Sequence, residues 1–332
     1  MTSPKVTGPV LDSDEPRRSS PPQESSKKRG RRRTLRRLLT SRALYLMLLP
    51  GLLYLLIYKY GPMYGALIAV KDYNISKGVL ASPWADPWYS HFQEFLTSPF
   101  FGSLMSNTIL ISVYKLAWGT VPPIIIAILF NECRVAWFRR LAQTLSYMPH
   151  FLSWVIIYGV AIALLSQSTG LFNGFLDDNF GFTIGFLTSN DWFRSVLVAS
   201  DVWKDIGWGA IIYLAAMMGI DRTYYEAATV DGASRLRQIW HITLPGIRPV
   251  IILLLVLKLG GILDAGFDQV FIFYNSQVYP SGDIIDTWVY RAGLENLNYS
   301  LAAAVGLFKS IIGLVLIVTA NRIAKRWDAQ LW

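Results

Sequence analysis

Asp201, Lys204, Asp205 and Trp208 stand at offsets of three, four and seven residues, which places all four on one face of a helix. Two carboxylates, an ammonium and an indole on one stripe can do one of two things. They can offer a polar lane to a hydroxyl-rich molecule, with the Trp208 ring as a stacking surface. Alternatively, Lys204 can neutralise Asp201 or Asp205 within the protein. A second set, Lys258, Asp264 and Asp268, has helical offsets between its acids, and Asp268 lies near the end of its apolar segment, where solvation is easier. Lys115 and Lys309 are isolated charges for which pairing with a neighbouring helix is expected. Other chemistries find less support. Asp177 and Asp178 are adjacent, so their side chains need not converge, and no partner carboxylate is evident. His91, His150 and His241 are far apart, and a single cysteine, Cys133, excludes an internal disulfide and a cysteine-built metal site. No catalytic residue and no metal site is expected.

The elements that hold these groups are apolar. The chain of 332 residues is 53% hydrophobic and 16% charged, where a soluble domain would be roughly a quarter charged. A lipid span needs roughly 20 mostly apolar residues. Six candidates meet this, at about 43–60, 105–130, 142–166, 195–219, 247–272 and 301–321. Residues 1–40 form a polar, Ser/Pro-rich and basic tail expected to be disordered. Residues 1–42 hold twelve Lys/Arg and four Asp/Glu, so they carry eight of the nine net positive charges. The basic run "KKRGRRRTLRR" directly precedes a span, which reads as a cytoplasmic topology signal rather than a nucleic-acid site. Loop charges agree. Arg134, Arg139, Arg140, Arg222, Arg235, Arg237, Arg322, Lys325 and Arg326 fall on that same side, against Lys71, Lys77, Arg194 and Arg291 over much longer opposite segments. Both termini are therefore expected in the cytoplasm, with the membrane domain over 41–327 and a short tail at 328–332.

Between the fourth and fifth apolar runs lies "TYYEAATVDGASRLRQIWHITLP". Glu226, Ala227 and Ala228 favour helix, Asp231-Gly232 interrupts it, and Arg235, Leu236, Ile239 and Trp240 make a short amphipathic helix. Pro245 is expected to break the chain before the next span. Spacing alone leaves two readings open, a helix-turn-helix that receives a push from a cytoplasmic partner and an amphipathic helix resting on lipid headgroups.

The pattern Glu226-Ala227-Ala228, Asp231-Gly232-Ala233 and Ile242-Thr243-Leu244-Pro245 resembles the EAA coupling motif of permease subunits in binding-protein-dependent ABC importers. Over roughly 43–327, "VWKDIGWGAIIYLAAM", "DQVFIFYN", "DIIDTWVYRAGL" and "AVGLFKSIIGLVLIVTANRIAKR" resemble the oligosaccharide and polysaccharide permeases, within them the short type that includes alginate-importer permeases. The chain departs from the maltose-type large permease in having no big extracytoplasmic insert, so sugar contacts do not carry over from that case. The resemblance implies an all-α, six-span type I ABC importer permease fold in the inner membrane, with a coupling segment over 222–246. It implies that Glu226, Ala227, Ala228, Asp231, Gly232, Ala233, Leu244 and Pro245 dock on a cytoplasmic ATPase. It also implies a second homologous permease in a heterodimer, two ATPase subunits that carry ATP and Mg, an extracytoplasmic solute-binding protein and a carbohydrate cargo. No cofactor is expected on this chain, which lacks a G-x-x-x-x-G-K-[ST] loop. The competing readings are an ABC permease for a non-sugar solute, an ion-driven transporter and a membrane glycosyltransferase.

Overall fold

The structure is a computed structural model that describes residues 42–325. The expected basic tail, Arg326 and the tail 328–332 lie outside the described residues. Contacts divide the chain at Tyr64. In the first unit, helix α1 (Arg42–Leu55) passes into a π-turn at Leu56–Tyr60. Its apolar side chains, among them Leu46, Met47, Ile57 and Tyr58, are exposed all round, as suits a helix surrounded by lipid.

The second unit is helical, and among its described residues the only β-pairing is one isolated bridge between Lys71 and Trp84. Apart from single turns at Gly78–Ala81 and Tyr279–Gly282, its helices are α2 (Ser90–Thr97), α3 (Phe101–Trp118), α4 (Val121–Glu132), α5 (Ala136–Tyr147) and α6 (Trp154–Leu165). They continue as α7 (Leu171–Phe180), α8 (Asn190–Met218), α9 (Arg222–Val230), α10 (Arg235–Gln238) and α11 (Leu244–Gly260). The last three are α12 (Phe267–Phe273), α13 (Ile285–Tyr290) and α14 (Tyr299–Ala324).

Among the described residues, four helical runs are long and apolar enough to cross a membrane: Tyr45–Val70, Phe101–Glu132, Arg235–Gly260 and Tyr299–Ala324. The expected third span, 142–166, is instead a bent pair, Ala136–Phe151 and Trp154–Leu165, that turns by 108°. Pro149 tightens the chain into a 3-10 turn at Met148–Phe151, Leu152 is extended, and Ser153 starts α6 by accepting from the Ile156 N–H. The expected fifth span, 247–272, ends at Gly260. Ala265 and Gly266 adopt left-handed backbone (φ 46° and 80°) before α12 begins. Asp264 and Asp268 therefore sit on different elements, not on one helical face. The second span is interrupted at 119–120, where Pro122 and Pro123 open α4 in its first turn, a position whose N–H groups have no intrahelical partner. Membrane helices tolerate such breaks where the freed backbone groups find other partners.

Helix α8 has 29 residues, about 44 Å at 1.5 Å per residue, which is enough to cross. It differs from the four apolar runs because Asp191, Arg194, Asp201, Lys204 and Asp205 interrupt its apolar face. It forms the spine of the unit. Phe193, Val196 and Leu197 join a buried cluster with Ile111, Ile157, Val270, Phe273 and Ile284. Ala210, Tyr213 and Met217 join another with Ala127, Phe130 and Ile247. Between them Gly207 lies against the backbone of Ser146, where a Cβ would overlap the carbonyl group. A residue with no side chain lets α5 and α8 touch there. At the other end of α8, Arg194 donates to the Ser281 carbonyl (3.0 Å) and to Asn107, which itself holds the Pro280 and Asp283 carbonyls. Nearby Arg291 pairs with Asp283 at 2.5 Å, both largely buried. Burial opposes its charge, but its hydrogen bonds to Asp283 and Tyr274 prevail and hold its pKa above the ordinary arginine value.

Candidate functional site

Two constellations concern function, and α8 and α11 connect them. The first is the turn between these helices. Asp221 caps α9, its carboxylate accepting from the Thr223 N–H at 2.9 Å, a bond that lowers its pKa. The C-terminus of α9 closes as a Schellman turn: the Ala233 N–H donates to the Ala228 carbonyl (2.8 Å) and the Gly232 N–H to that of Thr229 (3.0 Å). Gly232 occupies the left-handed position at φ 72°. Glu226, Ala227, Asp231, Gly232 and Pro245 are exposed, whereas Ala228, Ala233 and Leu244 are half-buried.

Two sets of side-chain hydrogen bonds hold the turn together. Gln238 is buried and donates to Thr229 Oγ1 (3.1 Å) and the Ala233 carbonyl (3.2 Å), so it bolts α10 to the end of α9. Tyr225 and the buried Thr243 share a hydrogen bond of 3.0 Å across the same gap. The one sequence signal for Gln238 is an uncharged amide placed among arginines and apolar residues. Pro245 does not break the chain as expected. Helix α10 runs through a π-turn at Ile239–Thr243 straight into α11, and the wider turn accommodates a residue that has no N–H to donate. The outer surface of the turn carries Tyr224, Val230, Leu236 and Trp240, all exposed, with Val230 at 88%. Arg235 reaches to 3.9 Å from Glu132 at the end of α4.

The second constellation is a cavity of about 300 Å³ inside the helical unit, whose lining includes Ser112, Lys115, Asp201, Asp205, Trp208 and Lys258. Three of the residues that sequence spacing groups on α8, namely Asp201, Asp205 and Trp208, do share this wall. Lys204 does not. Its ammonium donates to the carbonyls of His150 and Leu152, at 2.6 Å each, and lies 5.5 Å from the Trp154 ring. It therefore neutralises neither acid, because the bend at 152–153 leaves carbonyls without an intrahelical donor and these draw the ammonium. Asp201 has Lys115 at 3.6 Å instead. Asp205 accepts from His150 Nδ1 at 2.8 Å, and the His150 ring stacks flat on Trp208 (4.5 Å, 2°). One face of the indole is thus covered by the protein. Asp268 does not line this cavity: it is exposed in the first turn of α12, beyond the break. Lys309 pairs with Asp264 and Asp286. The Ser112 Oγ is buried without a protein partner. Lys115 and Ser112 come to this cavity from α3, and His150 reaches Asp205 and Trp208 from the bend; no spacing along α8 points to them. Asp177 and Asp178 are exposed on α7.

Comparison with known proteins agrees with this architecture. The family profile described as the binding-protein-dependent transport system inner membrane component matches residues 119–331. Protein LplB of Bacillus subtilis is 45% identical over 287 residues, covering 86% of this chain and 90% of LplB. The polygalacturonan/rhamnogalacturonan transport system permease protein YteP of the same organism is 44% identical, covering 89% of this chain and 91% of YteP. Among solved structures, a chain of a bacterial ABC transporter involved in the import of the acidic polysaccharide alginate superposes with a TM-score of 0.82 at 37% identity. The match covers 89% of this chain and 99% of that one. A chain of a bacterial alginate ABC transporter solved in complex with an alginate pentasaccharide-bound periplasmic protein also superposes with a TM-score of 0.82 at 37% identity, covering 89% of this chain and 98% of that one.

Proposed function

The chain belongs to the family of binding-protein-dependent transport system inner membrane components, and on that footing we propose that it is the membrane-spanning permease subunit of an ATP-driven importer of oligosaccharides or polysaccharides. One observation carries the reading. The turn over 221–243, most of it exposed, joins two helices that both line the cavity, α8 with Asp201, Asp205 and Trp208, and α11 with Lys258. A force applied to the turn reaches both linings through continuous helix, and Ile220 packed against Gly246 keeps their ends together. In this reading the turn lies on the cytoplasmic side and docks on an ATPase subunit through Tyr224, Val230, Leu236 and Trp240. ATP and Mg belong to that partner.

The cargo reading draws on YteP and on the alginate transporter, whose names state saccharide cargo. The cavity suits such cargo because Asp201 and Asp205 accept hydrogen bonds and the open part of Trp208 offers an apolar plate to a sugar ring. The assembly would comprise a second homologous permease, two ATPase subunits and an extracytoplasmic binding protein, in a bacterial inner membrane with both chain ends in the cytoplasm. The test is ATPase activity of the reconstituted assembly in liposomes, with binding protein loaded with one saccharide at a time. Stimulation by a saccharide-loaded binding protein is expected. Stimulation by a peptide or polyamine cargo alone would overturn the carbohydrate reading and leave the coupling reading standing.

A further inference from the structure

Three helices of the membrane unit are interrupted, and a lysine from another helix closes each interruption. Lys258 on α11 donates to the Gly119 carbonyl between α3 and α4, at 2.8 Å. Lys204 on α8 donates to the His150 and Leu152 carbonyls between α5 and α6. Lys115 on α3 donates to the Ala265 carbonyl between α11 and α12, at 2.8 Å, and to the Gln269 side chain. The logic is that of membrane interiors, where a carbonyl freed from its helix must find a donor inside the protein. The buried Lys71 applies it outside the spans, donating to the carbonyls of Val79, Leu80 and Ser82.

An ammonium has three N–H donors and no acceptor, so each lysine can be asked how many remain. Lys115 uses two on Ala265 and Gln269 and has Asp201 at 3.6 Å for its third. Lys204 uses two on carbonyls and lies against the Trp154 ring. Lys309 is held between Asp264 and Asp286. Lys258 differs from all three. It makes one hydrogen bond, and no carboxylate of the described residues lies within ion-pair distance of it. It is exposed, and it lines the same cavity as Asp201, Asp205 and Trp208.

We infer that Lys258 is the specificity-determining cation of this chain, and that its two remaining N–H donors take the carboxylate of an acidic saccharide in the cavity. The inference rests on the carbohydrate reading above. Asp205 lines the same cavity with a half-exposed carboxylate suited to sugar hydroxyls, so one sugar unit can present a carboxylate to Lys258 and hydroxyls to α8. The Gly119 carbonyl holds the ammonium in place at the wall and leaves it free to bind.

The experiment compares short oligouronates with their methyl esters, which have the same shape without the charge. Uptake is measured in liposomes with the whole assembly, for the unmodified chain and for Lys258→Gln, Lys258→Arg and Lys204→Met. Loss of a charge-assisted hydrogen bond should raise the KM for the oligouronate about tenfold or more in Lys258→Gln, with the ester affected far less. Lys258→Arg should keep the preference for the acid, because it keeps the charge and the donors. Lys204→Met, which removes a purely structural ammonium, should weaken both cargoes by the same factor. Equal loss of acid and ester in Lys258→Gln would overturn the inference and make Lys258 another structural clasp. Uptake of neutral saccharides only, by the unmodified chain, would overturn it while leaving the carbohydrate reading intact. If no saccharide is transported at all, both fall together.

Discussion

Replacing Gly232 tests whether the turn over 221–243 couples, at an exposed left-handed position. The residue sits at φ 72°, and a Cβ added there would meet nothing within 4 Å. Steric clash with neighbours is thus absent, and the cost of a side chain is the backbone term alone. Placing an ordinary L-residue in the left-handed region costs about 1–2 kcal/mol, which lowers the population of the native turn relative to its open forms by roughly five- to thirtyfold. Asn visits that region more readily than Ala, so the order of coupling should be Gly232, then Gly232→Asn, then Gly232→Ala. Gly232→Asp separates charge from backbone, because it matches Asn in shape and adds a carboxylate beside Asp231. The assay is the ratio of saccharide uptake to ATP hydrolysed in liposomes, with insertion checked by co-purification of the partner subunits. All variants should insert, since Gly232 lies outside the apolar runs. The reasoning is refuted if Gly232→Ala transports as well as the unmodified chain, or if Asn proves worse than Ala. Either result would mean that the Schellman geometry does not limit coupling.

Further outcomes follow from the packing and the cavity. Gly207→Ala should destabilise the assembly by about 1–3 kcal/mol, because its Cβ would enter the Ser146 carbonyl, and the thermal midpoint should fall with it. Arg291→Met leaves the buried Asp283 without its partner, which should cost roughly 3–5 kcal/mol; pairing it with Asp283→Leu should recover much of the loss in the same melting experiment. Asp205→Asn keeps shape and removes charge at a side chain that is 52% exposed. Its saccharide KM should rise about threefold to tenfold with little change in melting, and a lower melting point at unchanged KM would return Asp205 to a structural role.

The parts of this protein that are local in sequence can be read from sequence. The run from Asp221 to Ala233 contains its own cap, helix, left-handed glycine and turn, so motif and geometry coincide there. The apolar runs likewise announce themselves by length. The breaks do not. The residues Gly260-Gly261-Ile262-Leu263 stay apolar across the end of α11, and hydropathy therefore reads one span where the backbone turns twice. Nor can spacing along α8 show that Lys204 faces away from its neighbouring acids, because its partners are carbonyls 52 and 54 residues upstream. The contact of Lys115 with Ala265 spans 150 residues. A polar stripe on a helix specifies that partners exist, and the packing of other helices decides which.

The charges on α8 also bear on how the chain enters the bilayer. Asp201, Lys204 and Asp205 lie near the middle of the helix, and on insertion scales each such residue at a helix centre costs roughly 2.5–3.5 kcal/mol. Released alone into lipid, this helix would be a poor guest. The partners of these three central charges are Lys115, His150 and the carbonyls of His150 and Leu152, and every one of them precedes Asn190 in the chain. Truncated nascent chains ending after Gly219 would show whether α8 integrates, and whether it still does with Lys115→Met. The direction of synthesis therefore has a physical meaning here: when the ribosome delivers this charge-bearing helix, the groups that neutralise its central charges are already in the membrane, waiting to receive it.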